Sequence, residues 1–205
     1  MKLRLAVLGS TRGTDMQAII DAIERKELDA EMALVFSNKA GAFILERAKK
    51  HGIETIFLDH HKFKNREEFD RLIVKALKER KVELVLLIGY MRIISPYFCR
   101  QYAGRIWNIH PSLLPKYAGG MDADVHGQVL KNNEKETGCT LHVVSEKVDE
   151  GQIIMQKRVK VLADDTPDSL KGRVQNAEQE VLVKAIKLFS DGKFIIKNGV
   201  VKVNP

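Results

Sequence analysis

Five short apolar runs, separated by amphipathic stretches, constrain the fold of this chain more than any other feature. The runs fall near 3–8, 32–36, 55–58, 84–88 and 105–109. The stretches between them, near 15–25, 42–51, 66–80 and 96–102, carry apolar residues at helical spacing. This repetition predicts an α/β fold with a doubly wound, mainly parallel sheet and helices on both faces. The uninterrupted Val85-Leu86-Leu87-Ile88 run before Gly89 reads as a central strand covered on both sides.

The rhythm changes after residue 120. A helix is expected near 124–131, followed by strands near 140–145 and 153–161 joined by the turn-like Asp149-Glu150-Gly151. These strands predict a short antiparallel extension in the C-terminal half. Thr166-Pro167-Asp168 opens a long helix, with threonine as N-cap and proline in the first helical position. The helix should reach about Ser190, before Asp191-Gly192, and Asn198-Gly199 suits a tight final hairpin. No repeat, low-complexity segment or composition break interrupts the chain, so residues 1–205 are expected to form a single domain.

Composition excludes some classes of function. With 44% hydrophobic and 30% charged residues, the chain is typical of soluble globular proteins. No apolar run approaches the roughly 20 residues that span a bilayer. The N-terminus alternates like a strand and runs into a glycine turn, unlike a secretory leader. Cys99 and Cys139 lie far apart, without a CxxC or histidine cluster, and are expected as buried free thiols in the cytoplasm. The net charge of +7 raises the question of nucleic acid. Its basic residues, however, alternate with acids, as in Glu24-Arg25-Lys26-Glu27, which describes solvated helix faces. Small anions therefore suit this field better than nucleic acid.

Three unusual segments end predicted parallel strands, where doubly wound sheets bind ligands. The first, Gly9-Ser10-Thr11-Arg12-Gly13-Thr14-Asp15, turns tightly into a helix N-terminus, either to hold a monophosphate or as a plain strand–helix turn. Its spacing matches neither a dinucleotide fingerprint nor a P-loop. The second, Gly89-Tyr90-Met91-Arg92-Ile93-Ile94-Ser95-Pro96, offers a close backbone approach at Gly89 and a guanidinium suited to a carboxylate. The third is Asn108-Ile109-His110-Pro111-Ser112-Leu113-Leu114-Pro115. Strand alternation points Asn108 and His110 the same way, and Pro111 forces the chain out of the sheet. An amide donor beside an imidazole suits chemistry in which a carbonyl oxygen gains charge while a proton moves. Asp149, if it lay beside His110, would favour the charged ring; the alternative is a turn aspartate bonded to its own backbone.

Together these segments resemble the glycinamide ribonucleotide formyltransferases, a folate-dependent family. The likeness covers nearly the whole chain, including Val35-Phe36-Ser37-Asn38-Lys39-Ala40, Tyr102-Ala103-Gly104-Arg105, Val148-Asp149 and Arg173-Val174-Gln175. It implies a Rossmann-like formyltransferase fold and transfer of formyl from 10-formyltetrahydrofolate to the amine of glycinamide ribonucleotide. His110 would donate a proton, Asn108 would stabilise the oxyanion, and Asp149 would raise the His110 pKa. Gly13, Thr14 and Asp15 would hold the substrate phosphate, with Asp15 turned away to cap its helix. Glu178 would contact the ribose, or else stand exposed on its helix. Met91, Arg92, Ile93, Ile94 and Asn108 would line the folate site, with Arg66 and Arg92 near the folate carboxylates. No metal, nucleic acid or membrane is implied, and the protein would be a monomer or homodimer. The segment 116–126 is longer than the shortest family loops, and Glu150 stands where glycine often follows the aspartate. Rival readings are a formyltetrahydrofolate hydrolase, another folate-dependent formyltransferase, or a non-catalytic folate- or nucleotide-binding module; the length of the chain is expected to disfavour the first two.

Overall fold

A computed structural model describes residues 2–119 and 124–203 of the chain. In chain order its elements are β1 (Leu3–Leu8), α1 (Thr14–Glu24), β2 (Ala30–Ser37), α2 (Phe43–Lys50), β3 (Thr55–Phe57), α3 (Arg66–Glu79), β4 (Leu84–Leu87), α4 (Pro96–Gln101) and β5 (Ile106–His110). There follow α5 (Val125–Lys131), β6 (Glu136–Val143), β7 (Ile153–Lys160), α6 (Pro167–Ser190), β8 (Phe194–Lys197) and β9 (Val200–Val203). Seven strands form one sheet in the order β3-β2-β1-β4-β5-β6-β7, and β8 and β9 form a separate hairpin. The first five strands are parallel, while β6 runs antiparallel to both β5 and β7. The doubly wound sheet and its antiparallel extension are therefore as expected.

Alternation along β1 shows how the strands divide the core. Leu3, Leu5 and Val7 join the apolar layer that includes α1, α2, α5 and α6. Ala6 and Leu8 join the opposite layer, where Phe69, Ile73 and Leu77 of α3 pack with Phe98 of α4. The long helix begins where Thr166 and Ser169 form a reciprocal capping box. Two features depart from the sequence expectation. A 3-10 turn, His60–Lys62, follows β3. Strand β6 starts at Glu136, earlier than its apolar residues suggest, because the polar and small residues 136–139 pair in register with β7.

The parallel order brings the carboxyl ends of β1, β4 and β5 to one edge. There the amide of Ser10 donates to the Gly89 carbonyl at 3.0 Å, and its hydroxyl donates to Asn38 at 2.6 Å and accepts from the Met91 amide at 3.0 Å. Gly89, at φ 56°, is approached by Thr11; a Cβ there would lie 2.4 Å from the threonine hydroxyl. The close approach inferred for this glycine is thus made by the neighbouring loop.

The turn between β6 and β7 is equally tight, since a Cβ on Gly151 would lie 1.6 Å from the Val143 carbonyl oxygen. Gly151→Ala should therefore push the β6–β7 link off the sheet and cost about 1–3 kcal/mol. Urea denaturation checks this; an unchanged midpoint would show that the turn has room.

Candidate active site

The converging strand ends enclose a cavity of about 250 Å³. One wall is the segment after β4, in which Met91, Arg92, Ile93 and Ile94 all face the space. The other wall comes from Asn108 and His110 on β5, His142 and Val144 on or after β6, and Asp149 in the following turn. The structure thus gathers the three proposed catalytic groups and the expected folate segment around one volume. Arg92 stacks over the Phe69 ring at 5.0 Å, which orients its guanidinium.

His110 is buried, with its Nδ1 3.6 Å from Asp149 Oδ2. Its Nε2 lies 3.0 Å from the Tyr117 carbonyl. A carbonyl only accepts, so Nε2 carries a proton and donates it. Asp149 is held from several sides: Oδ1 lies 3.5 Å from His142 Nε2, and Oδ2 accepts from the Gly119 amide at 2.9 Å. Its polar surroundings outweigh burial and hold this carboxyl down at about 2. Tyr117 and Asp149, which both contact His110, have φ of 60° and 55°. Non-glycine residues in this left-handed region each cost roughly 1–2 kcal/mol, so the surrounding bonds must hold them there.

The charge on His110 requires a correction. Asp149 does favour the charged ring, as does the Tyr117 carbonyl, but burial acts more strongly and pushes the pKa below its ordinary value. The aspartate therefore limits the fall without raising the ring above the usual histidine range. A ring that is mostly neutral near pH 7 still presents its Nε2 proton.

The loop after β5 is fixed by Thr140, which pairs with His110 across the strands. Its hydroxyl donates to the Ser112 carbonyl at 2.7 Å and accepts from the Leu114 amide at 3.0 Å. Ser112 in turn donates to the Lys116 carbonyl at 2.6 Å. The long segment singled out at 116–126 includes residues 120–123, which lie outside the described residues.

At the first strand end, Gly13 caps α1 with φ 66°, and a Cβ there would meet Ile44 at 2.4 Å. Thr14 accepts from Gln175 of α6. Asp15 turns inward without capping α1, because no side-chain cap bond is present at that end. It is buried near Glu178, also buried, so the exposed-glutamate alternative fails. Arg66 does not line the main cavity. It opens a neighbouring groove with Arg71, Ser95 and Pro96. Asp70 nevertheless feels both Arg92 and Arg66, which places the two guanidiniums around one carboxyl. Among the described residues, Asp59, His60 and His61 bring possible metal-ligand atoms within 4.8 Å of one another, outside the cavity lining.

Sequence reasoning missed His142 and the Tyr117 and Gly119 backbone groups. The histidine lay within a recognised strand, but only the β5–β6 register places it opposite Asn108. Nothing local marks the two backbone groups.

An α/β sheet whose strand ends and following turn gather an amide, an imidazole and a carboxylate around one cavity has the layout of an enzyme active site. The chain belongs to the formyl transferase family, whose model matches residues 3–186, and is a one-carbon transferase. It is 42% identical over 191 residues to the phosphoribosylglycinamide formyltransferase of Escherichia coli, covering 93% of this chain and 89% of that protein. It is 43% identical over 195 residues to the trifunctional purine biosynthetic protein adenosine-3 of Drosophila melanogaster, spanning 94% of this chain but 14% of that longer protein. The crystal structure of glycinamide ribonucleotide transformylase 1 from Symbiobacterium toebii superposes with a TM-score of 0.92 at 36% identity, covering 100% of this chain and 95% of the other.

Burial raises the Asp15 carboxyl to about 6, against the lowering effect of Gln179. The unfolded chain releases this proton near the ordinary value, so the folded chain loses stability as pH rises from about 4 to 6. The full cost, on the order of 3 kcal/mol, applies above that window. Asp15→Asn should therefore be more stable than the parent at pH 8 by most of that amount, and the advantage should vanish by about pH 4. Urea titrations at both pH values check this; a gain independent of pH would contradict the buried charge.

Proposed function

We propose that the chain transfers the formyl group of 10-formyltetrahydrofolate to the amine of glycinamide ribonucleotide in purine biosynthesis. One observation carries the reading: Asn108, His110, Asp149 and the segment 91–94 line one cavity. The names of the relatives support the acceptor. The folate ring lies against Met91, Arg92, Ile93 and Ile94, whose backbone groups read its polar edge. Arg92, with Arg66 in the adjoining groove, meets the carboxylates of the folate tail. At the other end, the first-turn amides of α1, from Gly13, Thr14 and Asp15, hold the phosphate. Asp15 is protonated over more of the pH range than an ordinary aspartate, which reduces its repulsion of that phosphate. Glu178, whose carboxyl is also raised well above its usual range by burial, meets the ribose.

In the reaction, the acceptor nitrogen bonds to the formyl carbon and the carbonyl π pair moves to oxygen. The formyl oxygen takes the place of the Tyr117 carbonyl as acceptor for the His110 Nε2 proton, and an Asn108 N–H donates to the same oxygen. The growing negative charge strengthens the hydrogen bond from the neutral ring's Nε2–H, which needs no further proton on the ring. Water beside Asp149 carries the amine proton toward the departing folate nitrogen. The carbon–nitrogen bond to folate then breaks, giving formylated acceptor and tetrahydrofolate. His110 and Asn108 therefore act as donors to charge that exists mainly in the transition state.

His110→Ala should lower turnover by at least about a hundredfold while the fold is kept. The assay mixes protein, 10-formyltetrahydrofolate and glycinamide ribonucleotide and follows folate absorbance, with water alone as the control acceptor. Near-normal transfer by the variant would remove His110 from the mechanism, and formate release without the ribonucleotide would indicate hydrolysis instead.

A further inference from the structure

His142 makes three close polar approaches from a site with almost no solvent access, its exposure being 2%. Its Nδ1 lies 3.0 Å from the Val143 carbonyl, which only accepts, so Nδ1 carries a proton. Its Nε2 lies 3.1 Å from Asn108 Nδ2 and 3.5 Å from Asp149 Oδ1. The nearer neighbour decides the state of that nitrogen. In a neutral ring with the proton on Nδ1, Nε2 is a lone pair that accepts an N–H from the Asn108 amide. A second proton on Nε2 would turn it toward Asp149 and face the amide nitrogen with another donor. The amide would then rotate and present its oxygen, which repels a developing oxyanion.

We propose that His142 is a positioning residue that fixes which end of the Asn108 carboxamide faces the reacting carbon. One amide hydrogen is spent on the ring, and the second hydrogen of the same nitrogen is left for the formyl oxygen. The sheet gives the ring no freedom to do otherwise. Asn108 and His142 are direct partners across β5 and β6, so their side chains share one face. This inference rests on the oxyanion role given to Asn108 above.

The test uses two amides of different length. In His142→Asn, the amide sits near the place of Nδ1, so a donor to the Val143 carbonyl survives while the acceptor for Asn108 is lost. In His142→Gln, the longer side chain returns an acceptor near the place of Nε2. The asparagine variant should lose roughly 10- to 100-fold in kcat with both KM values within about twofold, whereas the glutamine variant should stay within about fivefold of the parent. Adding His142→Asn to Asn108→Ala should cost no more than about a further twofold, because the two residues act as one unit. Melting temperatures accompany each measurement. A folded asparagine variant with parental kcat, a folded glutamine variant as slow as the asparagine one, or multiplying losses in the double variant would each overturn the proposal. If the asparagine variant does not fold, the glutamine variant decides alone, and a loss beyond about fivefold in it is fatal. Full turnover by Asn108→Ala alone would instead overturn the reading of the site on which this one stands.

Discussion

The antiparallel pairing of β5 with β6 is the constraint on which the site depends. In its register, Asn108 faces His142 and His110 faces Thr140. The first pair joins the Asn108 amide to the His142 ring, and the second anchors the loop whose backbone meets the imidazole. Because side chains alternate with a period of two, a slip of one residue would turn both pairs to the opposite face. The parallel strands alone, however well packed, would leave Asn108 and His110 with no partners on that side. An antiparallel neighbour returns the chain across the same edge and brings Asp149 back within 3.6 Å of His110.

Around that frame the electrostatics are balanced within a small volume. Asp149 lies between two imidazoles, and its carboxyl is strongly favoured in the charged form. His110 experiences the opposite conflict, with burial opposing its charge and the aspartate supporting it. Burial prevails, so the ring is left neutral with its Nε2 proton directed at the Tyr117 carbonyl. Tyr117 and Asp149 sit in left-handed backbone conformations on either side of this ring, held by bonds from Thr140, Ser112 and Gly119. The same arrangement makes the loop part of the imidazole's hydrogen-bonding, so loop position and ring state are linked.

Much of this was readable from the residues. Strand–helix alternation indicated the sheet, because apolar periodicity is set by burial and survives in any compact arrangement. The Asn-Ile-His-Pro run indicated a strand end with two side chains on one face, since both facts follow from local geometry. Three things were not readable. The start of β6 depends on pairing with β7 and carries little apolar signal of its own. The inward turn of Asp15 depends on Glu178 and Gln179, more than 160 residues away along the chain. The net direction of the His110 shift depends on how deeply the ring is buried, which no neighbouring residue in sequence reports.

The sequence by itself determined the architecture, the three segments at the strand ends and the chemical types of the groups there. Those properties come from local conformational preference and from the periodicity of apolar residues. Tertiary structure alone decided that His142 faces Asn108, that Asp149 is shared between two rings, and that Tyr117 offers its carbonyl to His110. Each of these joins residues by strand register or loop return, and each energy depends on desolvation and angstrom-scale distance. Neither quantity exists until the chain has closed around the cavity.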